Sequence, residues 1–380
     1  MIDRSKAVFP DQKKVARPAL LFLVFLLLLC SIAPCQDEFD GVERIVAVGD
    51  VHGGFEDLVS VLRAARIVDG RNRWVGGKAH LVQTGDLLDR GDNSRKVLDL
   101  LIDLESQAQK AGGMVHVLLG NHEAMNMYGD LRYVSHGEFN SYRTPESDQL
   151  REQAFEATAD PAQKADRKYR KKWEDEHPLG WVEHRQAFGQ TGRYGKWLRQ
   201  KNVVIRINNA LFAHGGISPK YASLSLREIN EQCRAELRDF TKLRGGMVMG
   251  AQGPLWYRDL SEVPESELAS HVEALLAAYK VKYIVTAHTP TPSVILPRFG
   301  GKVIRIDVGL SKIYGEARAC LLFEGSEPFA LHRGSKLQLP TDGDILGYLR
   351  RAEFLEPPDS PLRRYLSRLL RGQQQDSKPD

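Results

Sequence analysis

Aspartate, histidine and asparagine residues recur in five short clusters, each directly after a run of apolar residues. Their side chains offer oxygen and nitrogen ligands but no thiolate, a mixture that suits Mn, Fe or Zn better than Mg alone and disfavours a closed structural zinc site. One such cluster is typical of a turn or a packed core histidine, whereas five in succession predict a metal centre. The clusters are Asp50-Val51-His52-Gly53, Asp86-Leu87-Leu88-Asp89-Arg90-Gly91, Asn121-His122-Glu123, His214-Gly215-Gly216 and Ala287-His288-Thr289.

The spacing of these residues indicates how two ions would share them. Asp50 and His52 are two residues apart, so both can reach one ion. Asp86 has two carboxylate oxygens and can bridge two ions that lie about 3.5–4 Å apart. Three further residues would complete the coordination of the second ion: Asn121, His214 and His288. A pair of ions, Mn or Fe/Zn, can neutralise a phosphate ester and activate water.

The apolar runs before the clusters predict the strands that position them. Between the first runs lie amphipathic stretches, residues 55–65 and 94–109, with apolar residues three and four apart. Strands alternating with helices predict an α/β domain with a partly parallel sheet. Ligands bind at the carboxyl ends of strands in such sheets, so the clusters should meet in one crevice. The predicted strands are Arg44–Val48, His80–Gln83, 115–119, 203–207, Ala210–Ala213, Tyr283–Thr286 and 303–306.

The first 35 residues differ from the rest of the chain. A basic stretch precedes the apolar run 19–30, which is shorter than the roughly 20 residues of a spanning helix. We interpret residues 1–35 as a signal peptide cleaved after Cys35, or alternatively as an uncleaved signal anchor. The expected location is secreted, periplasmic or otherwise extracytoplasmic, with a membrane-anchored form as the alternative. A membrane is expected as a partner only in the anchored form.

Charge and cysteine content exclude other classes of protein. The formal charge is +4, but residues 1–35 hold five basic and two acidic residues, so the remainder is about neutral. A nucleic-acid partner is therefore not expected. After residue 35 the cysteines are Cys233 and Cys320, which do not make a disulfide framework, and their pairing is left open.

We predict a catalytic domain over residues 40–335 and a tail over residues 336–380. A polar insertion, residues 130–190, contains a charge run that is either a solvated helical face or a substrate-docking surface. In the tail, residues 361–371 place leucines on one helical face and arginines on the other. That pattern fits a helix docked on the body or a helix at a membrane surface.

Taken together, the motifs resemble those of a known family. GDVHG, GDLLDRG, GNHE, HGG and AHT are similar to the signature set of the calcineurin-like metallophosphoesterases, specifically their protein-phosphatase branch, over residues 44–310. Residues 120–134 and 254–259 are similar to the Shewanella-like protein phosphatases. Pro290 stands where many other members of the superfamily have a further histidine ligand, which agrees with that branch. The resemblance implies a four-layer α/β/β/α sandwich with a helical insertion and a short C-terminal helix.

The resemblance also implies a role for each matching residue. His122 resembles the general acid that protonates the leaving oxygen, and Asp89 resembles its orienting partner. Asp307 either lines the floor of the site or is structural. The implied first-metal ligands are Asp50, His52 and Asp86, and the second-metal ligands are Asp86, Asn121, His214 and His288. The implied phosphate-binding residues are Arg90, Asn121 and Arg258.

The expected activity is hydrolysis of phosphomonoesters on proteins, with phosphotyrosine at least as probable a substrate as phosphoserine or phosphothreonine. The expected mechanism is direct attack by a metal-bridging hydroxide, since no GxSxG-type nucleophile motif is present. An alternative enzyme would hydrolyse small phosphorylated metabolites, including dinucleoside polyphosphates. A further alternative is a binding or scaffolding protein whose site has lapsed. The intact ligand set, with His122 and Arg90, argues against that last alternative.

Overall fold

The computed structural model describes residues 36–340 and 343–376. The strands in this part of the chain form two six-stranded sheets, ordered β1-β5-β6-β7-β9-β8 and β12-β11-β10-β2-β3-β4. They are β1 Glu38–Phe39, β2 Arg44–Val48, β3 His80–Gln83, β4 Met114–Val117, β5 Val204–Ile207, β6 Ala210–Ala213, β7 Tyr283–Thr286, β8 Leu296–Arg298, β9 Val303–Arg305, β10 Ala319–Glu324, β11 Glu327–His332 and β12 Ser335–Gln338.

Helices cover the sheets, and two short 3-10 helices, Pro219–Tyr221 and Phe240–Lys242, lie in the connections. None of the helices within the described residues is long and apolar enough to cross a membrane. The predicted signal segment lies outside the described residues. The α-helices are α1 Phe55–Ala64, α2 Ser94–Lys110, α3 Asn121–Tyr128, α4 His136–Ser141, α5 Ser147–Thr158, α6 Arg167–Glu176, α7 Trp181–Phe188, α8 Arg193–Leu198, α9 Leu226–Arg238, α10 Asp259–Glu262, α11 Glu265–Tyr279, α12 Ile345–Phe354 and α13 Pro361–Asp376.

The two sheets pack face to face, and each contains a parallel core. Strands β2, β3 and β4 are parallel, as are β6, β7 and β9. Between the sheets, the ring of Phe323 lies 6.2 Å from that of Phe212 and 5.6 Å from that of Tyr283, measured between centroids. Helices such as α2 bury their apolar face against the outside of a sheet. The predicted α/β class and layered sandwich are therefore confirmed.

The strand predictions fail mainly where strands are short or turn back. Strands β1, β8 and β10–β12 were not predicted, although Gly325 and Gly334 mark the turns of the last three. The strand predicted at 115–119 ends at Val117. Beyond it, the Leu118 amide still donates to the carbonyl of Gln83 in β3, whereas the Leu119 amide donates to the carbonyl of Asn202, just before β5.

The insertion and the tail both pack as helices. In α6, pairs such as Lys171 with Asp175 lie on an exposed surface, which matches the solvated-face interpretation of the charge run. Strand β12 crosses the predicted boundary at 335, so the sheet extends three residues into the tail. Leu362 and Leu366 of α13 are buried, so this helix is docked on the body.

Candidate metal-binding active site

The five clusters meet at the carboxyl ends of the parallel strands, as the sequence predicts. Asp50 and Asp86 follow β2 and β3, and the loop after β4 leads directly into α3 at Asn121. His214 and His288 follow β6 and β7 of the other sheet. The site thus lies between the sheets, and all of these predicted ligands are buried, with at most 6% of each residue exposed.

Two groups of ligand atoms share Asp86. One contains His52, Asp86 and His122, and the other contains Asp86, His214 and His288; within each group the ligand atoms lie within 4.8 Å of one another. The Nε2 atom of His214 is 3.3 Å from Oδ2 of Asp86, and that of His52 is 3.8 Å from the same oxygen. This arrangement could hold two ions with Asp86 between them.

The remaining predicted ligands adjoin these groups. Oδ2 of Asp50 lies 3.9 Å from Nε2 of His52, on the side of the first group. Oδ1 of Asn121 lies 3.1 Å from Nε2 of His214, on the side of the second group. The structure therefore brings together every residue predicted as a metal ligand.

Backbone carbonyls fix the histidine rings so that Nε2 faces the site. Nδ1 of His52 bonds the carbonyl of Leu88, and Nδ1 of His214 bonds that of Thr84, both at 2.9 Å. Such bonds set the tautomer that leaves Nε2 free for a metal. Burial lowers the pKa of His52 to about 4 and that of His288 to about 2, so these rings are neutral, as metal ligands must be.

The buried charges also fit cations. Burial raises the pKa of Asp50 well above its usual range, and the neighbouring Asp307 and Asp86 carboxylates raise it further. Burial likewise raises the pKa of Asp307 to about 6. Nε2 of His288 is buried without a hydrogen-bond partner among residues 36–340 and 343–376. Clustered carboxylates beside an unpartnered imidazole nitrogen are stabilised when cations bind between them.

Several of these residues have a left-handed backbone. The φ angles of His52, Asp86, Asp89, Arg90 and His288 lie between 45° and 70°. Non-glycine residues adopt this region at a cost, and it is concentrated at functional sites where the surroundings enforce it.

Glu123 holds the Asp86 loop, and the sequence did not predict this role. Its carboxylate accepts hydrogen bonds at 2.8 Å from the backbone amides of Asp86, Leu87 and Gly120. A Cβ atom at Gly120 would lie 2.2 Å from Oδ1 of Asp86, so only glycine fits there. The signal was present in the GNHE motif, since Glu123 occupies the third position of α3, where a carboxylate can cap the helix.

His122 is held by a chain of hydrogen bonds. Its Nδ1 lies 2.5 Å from Oδ2 of Asp89, and the side-chain amide of Asn126 donates to Oδ1 of Asp89 at 2.9 Å. Burial works to lower the pKa of His122, but Asp86 and Asp89 outweigh it and raise the pKa to about 9. In the metal-free protein the ring is therefore charged at neutral pH and can donate a proton from Nε2.

The geometry also admits His122 as a ligand, because its Nε2 lies 3.8 Å from Oδ2 of Asp86. Two observations favour the proton-donor role. The Asp89 carboxylate bonded to Nδ1 favours the charged form of the ring, which has no lone pair for a metal, and Asp50 supplies an alternative oxygen ligand beside His52.

Arg90 lies against an aromatic side chain at the rim of the site. Its guanidinium carbon is 4.0 Å from the centroid of the Tyr133 ring, and its Nε is buried without a partner in the described part of the chain. Tyr133 also contacts His122, with 5.2 Å between ring centroids. On the other side, the ring of Tyr314 lies 5.4 Å from that of His52. Neither tyrosine was predicted, because both come from loops without a repeating pattern.

Arg258 contacts the loop that carries His288. Its Nη1 donates to the carbonyl of His288 at 2.9 Å and to Oγ1 of Thr289 at 3.1 Å. The structure therefore gives this arginine one observed function, which is to brace the loop that carries His288. The indole of Trp256 stands edge-on to the His288 ring, 5.9 Å away between centroids.

Comparison with known proteins agrees with this geometry. Residues 43–292 match the family model described as calcineurin-like phosphoesterase. An uncharacterized protein of Schizosaccharomyces pombe is 31% identical over 308 residues, covering 78% of this chain and 82% of that protein. Shewanella-like protein phosphatase 2 of Arabidopsis thaliana is 30% identical over 296 residues, covering 73% of this chain and 74% of that protein.

A solved structure is similar over most of the fold. The cold-active protein-tyrosine phosphatase of a psychrophilic Shewanella species is 31% identical, with a TM-score of 0.61 over 79% of this chain and 81% of that one. The chain belongs to the calcineurin-like phosphoesterase family and is a metal-dependent phosphatase similar to the Shewanella-like protein phosphatases.

Proposed function

We propose that this phosphatase removes phosphate from proteins, and that phosphotyrosine is at least as good a substrate as phosphoserine or phosphothreonine. The observation that carries the proposal is that Arg90 and His122 both contact the ring of Tyr133 at the rim of the metal-ligand cluster. A guanidinium matches phosphate oxygens in pairs, and His122, on the same tyrosine ring, is the proposed proton donor. The names of the relatives, protein phosphatase and protein-tyrosine phosphatase, support the same substrate class.

The rings of Tyr133 and Tyr314 favour phosphotyrosine as the substrate. Tyr133 and Tyr314 are both partly exposed and flank the His52 and His122 rings, which contact each other edge to face at 4.8 Å. A phenyl ring can pack against tyrosine faces, and such a pair contributes about 0.5–1.5 kcal/mol beyond its buried area. The short side chain of phosphoserine would gain less from these rings.

We assign one ion to Asp50, His52 and Asp86, and the other to Asp86, Asn121, His214 and His288, with Mn or an Fe/Zn pair as the metals. When bound, the ions would neutralise the phosphate and make water acidic enough to attack at neutral pH. The protein residues do the remaining work in this proposal. Arg90 and Arg258 bind phosphate oxygens, and Glu123 keeps the Asp86 loop in place.

The proton donor in this proposal is Nε2 of His122. As the phosphorus–oxygen bond breaks, its proton passes to the leaving oxygen, while Asp89 holds the imidazole through Nδ1. The carboxylate stabilises the charged ring before transfer and fixes its orientation. A tyrosine leaving group has a pKa near 10, so it departs faster when it is protonated.

The test is hydrolysis of matched phosphotyrosine and phosphoserine peptides by metal-stripped protein resupplied with Mn. We expect metal-dependent release of phosphate from both peptides, with at least equal kcat/KM on phosphotyrosine. The His122→Asn variant should retain metal and lose turnover. Failure to hydrolyse either peptide with metals bound would contradict the proposal and point to small phosphorylated metabolites.

We also propose, from the composition of residues 1–35, that the protein works outside the cytoplasm, either secreted or periplasmic, with a membrane-anchored form as the alternative. N-terminal sequencing of the protein purified from its own cells tests this. A mature chain that begins at residue 36 would support secretion, and an intact N-terminus in a soluble cytoplasmic fraction would refute it.

A further inference from the structure

Two adjoining clefts run along the C-terminal helix α13, and together we call them the arginine trough. The first, of about 320 Å³, is lined by residues that include Gly315, Arg333, Pro361 and Arg364. The second, of about 440 Å³, is lined by Pro358, Arg363, Arg364, Ser367, Arg368 and Arg371. Arg364 lines both clefts, so the two adjoin at this residue.

The second cleft is strongly basic. Its lining contains four arginines and no acidic residue. Arg363 is partly neutralised by Glu353 at 3.5 Å. Arg368 and Arg371 are exposed, and neither has a salt bridge or side-chain hydrogen bond within the described residues. Two unpaired guanidinium groups on one helical face attract an anionic partner.

The first cleft is closer to electrical balance. Arg333 pairs with the buried Glu356 at 2.8 Å, and Arg318 pairs with Asp57 at 3.2 Å. Glu316 and Asp359 also line this cleft. The first cleft therefore connects the basic end of the trough to the body without adding much net charge.

The trough begins beside the active site. A Cβ atom at Gly315 would lie 2.7 Å from Cγ of Pro361, so the first turn of α13 is directly against the loop. The preceding residue is Tyr314, whose ring contacts that of His52. From Pro361 to Arg371 the helix rises about 15 Å, a length that about five residues of extended peptide can follow.

The packing of α13 favours a peptide over a lipid bilayer as the occupant. Leu362 and Leu366 are buried in the body, and Leu369 and Leu370 are partly buried, so most of the apolar face of the helix is already used. An interfacial helix binds membranes by burying that face among lipids. Two adjoining arginine-lined clefts, the first of which lies against the loop that carries Tyr314, instead fit an extended acidic segment.

We propose that the arginine trough binds acidic residues that flank the phosphorylated residue of a protein substrate. This inference rests on the proposed phosphoprotein function. Aspartate or glutamate side chains several residues from the phosphorylated position lie along α13, where Arg368 and Arg371 pair with them. The trough thereby selects among phosphoproteins by sequence context.

The test compares two phosphotyrosine peptides in the full-length, metal-loaded protein. One peptide has acidic residues at the fourth to eighth positions on both sides of phosphotyrosine, and the other has serine and glutamine there. We expect a KM about fivefold or more lower for the acidic peptide at low salt. In Arg368→Gln/Arg371→Gln this preference should disappear, and kcat should be unchanged. Raising the salt concentration should weaken the preference of the wild type.

Two controls separate the trough from the catalytic site. Arg71→Gln/Arg227→Gln removes the same charge at exposed positions elsewhere and should keep the acidic preference. Hydrolysis of p-nitrophenyl phosphate, which has no flanking residues, should be equal in all of these proteins.

The outcomes are distinguishable. Two results would overturn the proposed role of the trough and leave the phosphoprotein function intact. One is equal KM values for the two peptides in the wild type, and the other is a preference for the acidic peptide that is retained in Arg368→Gln/Arg371→Gln. Turnover of p-nitrophenyl phosphate without turnover of either peptide would overturn both. A further assay measures binding to vesicles containing phosphatidylglycerol. Loss of vesicle binding in the double variant, with the peptide preference unchanged, would assign the arginines to a membrane and refute the peptide site.

Discussion

Nδ1 of His122 lies 2.5 Å from Oδ2 of Asp89, and both side chains are almost fully buried. Asn126 donates to the other oxygen of Asp89 and to the carbonyl of His122, both at 2.9 Å. The imidazole therefore has a fixed orientation in which Nε2 is directed to the side of Asp86. This relationship distinguishes His122 from His52 and His214, whose Nδ1 atoms bond backbone carbonyls.

Asp89→Asn should lower kcat about 100-fold or more, because the charged imidazole loses its stabilising carboxylate. The pKa of His122 is raised, so the active protonated form is lost as the pH rises through that pKa. In the metal-loaded enzyme, the fall of kcat at high pH should lie below pH 9, because cations bound to Asp86 weaken the attraction between its carboxylate and the His122 ring. In Asp89→Asn, kcat should begin to fall at a still lower pH. If kcat falls at the same pH in wild type and Asp89→Asn, the role of Asp89 is contradicted.

Removal of metal should destabilise the fold. The carboxylates of Asp50, Asp86 and Asp307 lie close together and buried, so they repel one another unless cations bind. A ligand at 1,000 times its Kd stabilises the folded state by about 4 kcal/mol. Thermal denaturation with and without chelator should therefore show a rise in Tm of several degrees on resupply of Mn.

His288→Ala should reduce the bound metal from two ions to one per chain, as measured by elemental analysis. An unchanged Tm and two retained ions would show that the clusters do not hold the metals.

Arg90→Lys should lower kcat/KM about tenfold or more, because an ammonium cannot make the paired hydrogen bonds of a guanidinium.

Tyr133→Leu should raise KM for phosphotyrosine peptides about threefold, since it removes the aromatic face that Arg90 contacts. The matched control is Tyr133→Phe, which keeps the ring and should behave as wild type. If Tyr133→Leu and Tyr133→Phe have the same KM, stacking does not position Arg90.

The ligand set could be predicted from sequence because each member is adjacent to a strand with a local apolar pattern. Asp50 and Asp86 follow β2 and β3, whose bounds were predicted correctly. The convergence of the clusters then follows from parallel pairing alone. Glu123 could also have been assigned, since its place in the first turn of α3 is a local signal.

Other parts of the site depend on contacts between distant segments. Tyr314 lies in a loop after β9 and reaches His52 only because both sheets close around the site. Strand β1 is two residues long, too short for a pattern, and is held by Arg206, which pairs with Glu38 and Asp40. Such features have no periodic signature, so the sequence alone cannot indicate them.

Glu356 connects the tail helices to the sheet, and its loss should destabilise the protein. It accepts hydrogen bonds at 2.8 Å from His332 of β11 and from Arg333. Breaking a buried pair of this kind costs about 3–5 kcal/mol, so Glu356→Gln should lower the free energy of unfolding by an amount near the lower figure, since an amide oxygen can still accept one bond. Urea unfolding at pH 7 measures this difference.

The pH dependence of that difference has a defined sign. Burial works to raise the pKa of Glu356, but His332 and Arg333 outweigh it and lower the pKa to about 2. A lowered folded-state pKa stabilises the protein above the unfolded value of about 4.3 and ceases to do so as the pH falls towards 2. The gap between wild type and Glu356→Gln should therefore shrink as the pH falls from about 5 towards 2. A gap that grows over that range would contradict the ion pair.

The most direct test of the account compares leaving groups in wild type and His122→Asn, both loaded with Mn. Phenyl phosphate releases a phenol with a pKa near 10, which needs a proton, whereas 2,4-dinitrophenyl phosphate releases a far more acidic phenol that leaves as the anion. The account predicts that His122→Asn loses about 100-fold or more in kcat on phenyl phosphate and only a small factor on the dinitrophenyl ester. Equal losses on both esters would show that His122 does not protonate the leaving group, and would contradict the mechanism.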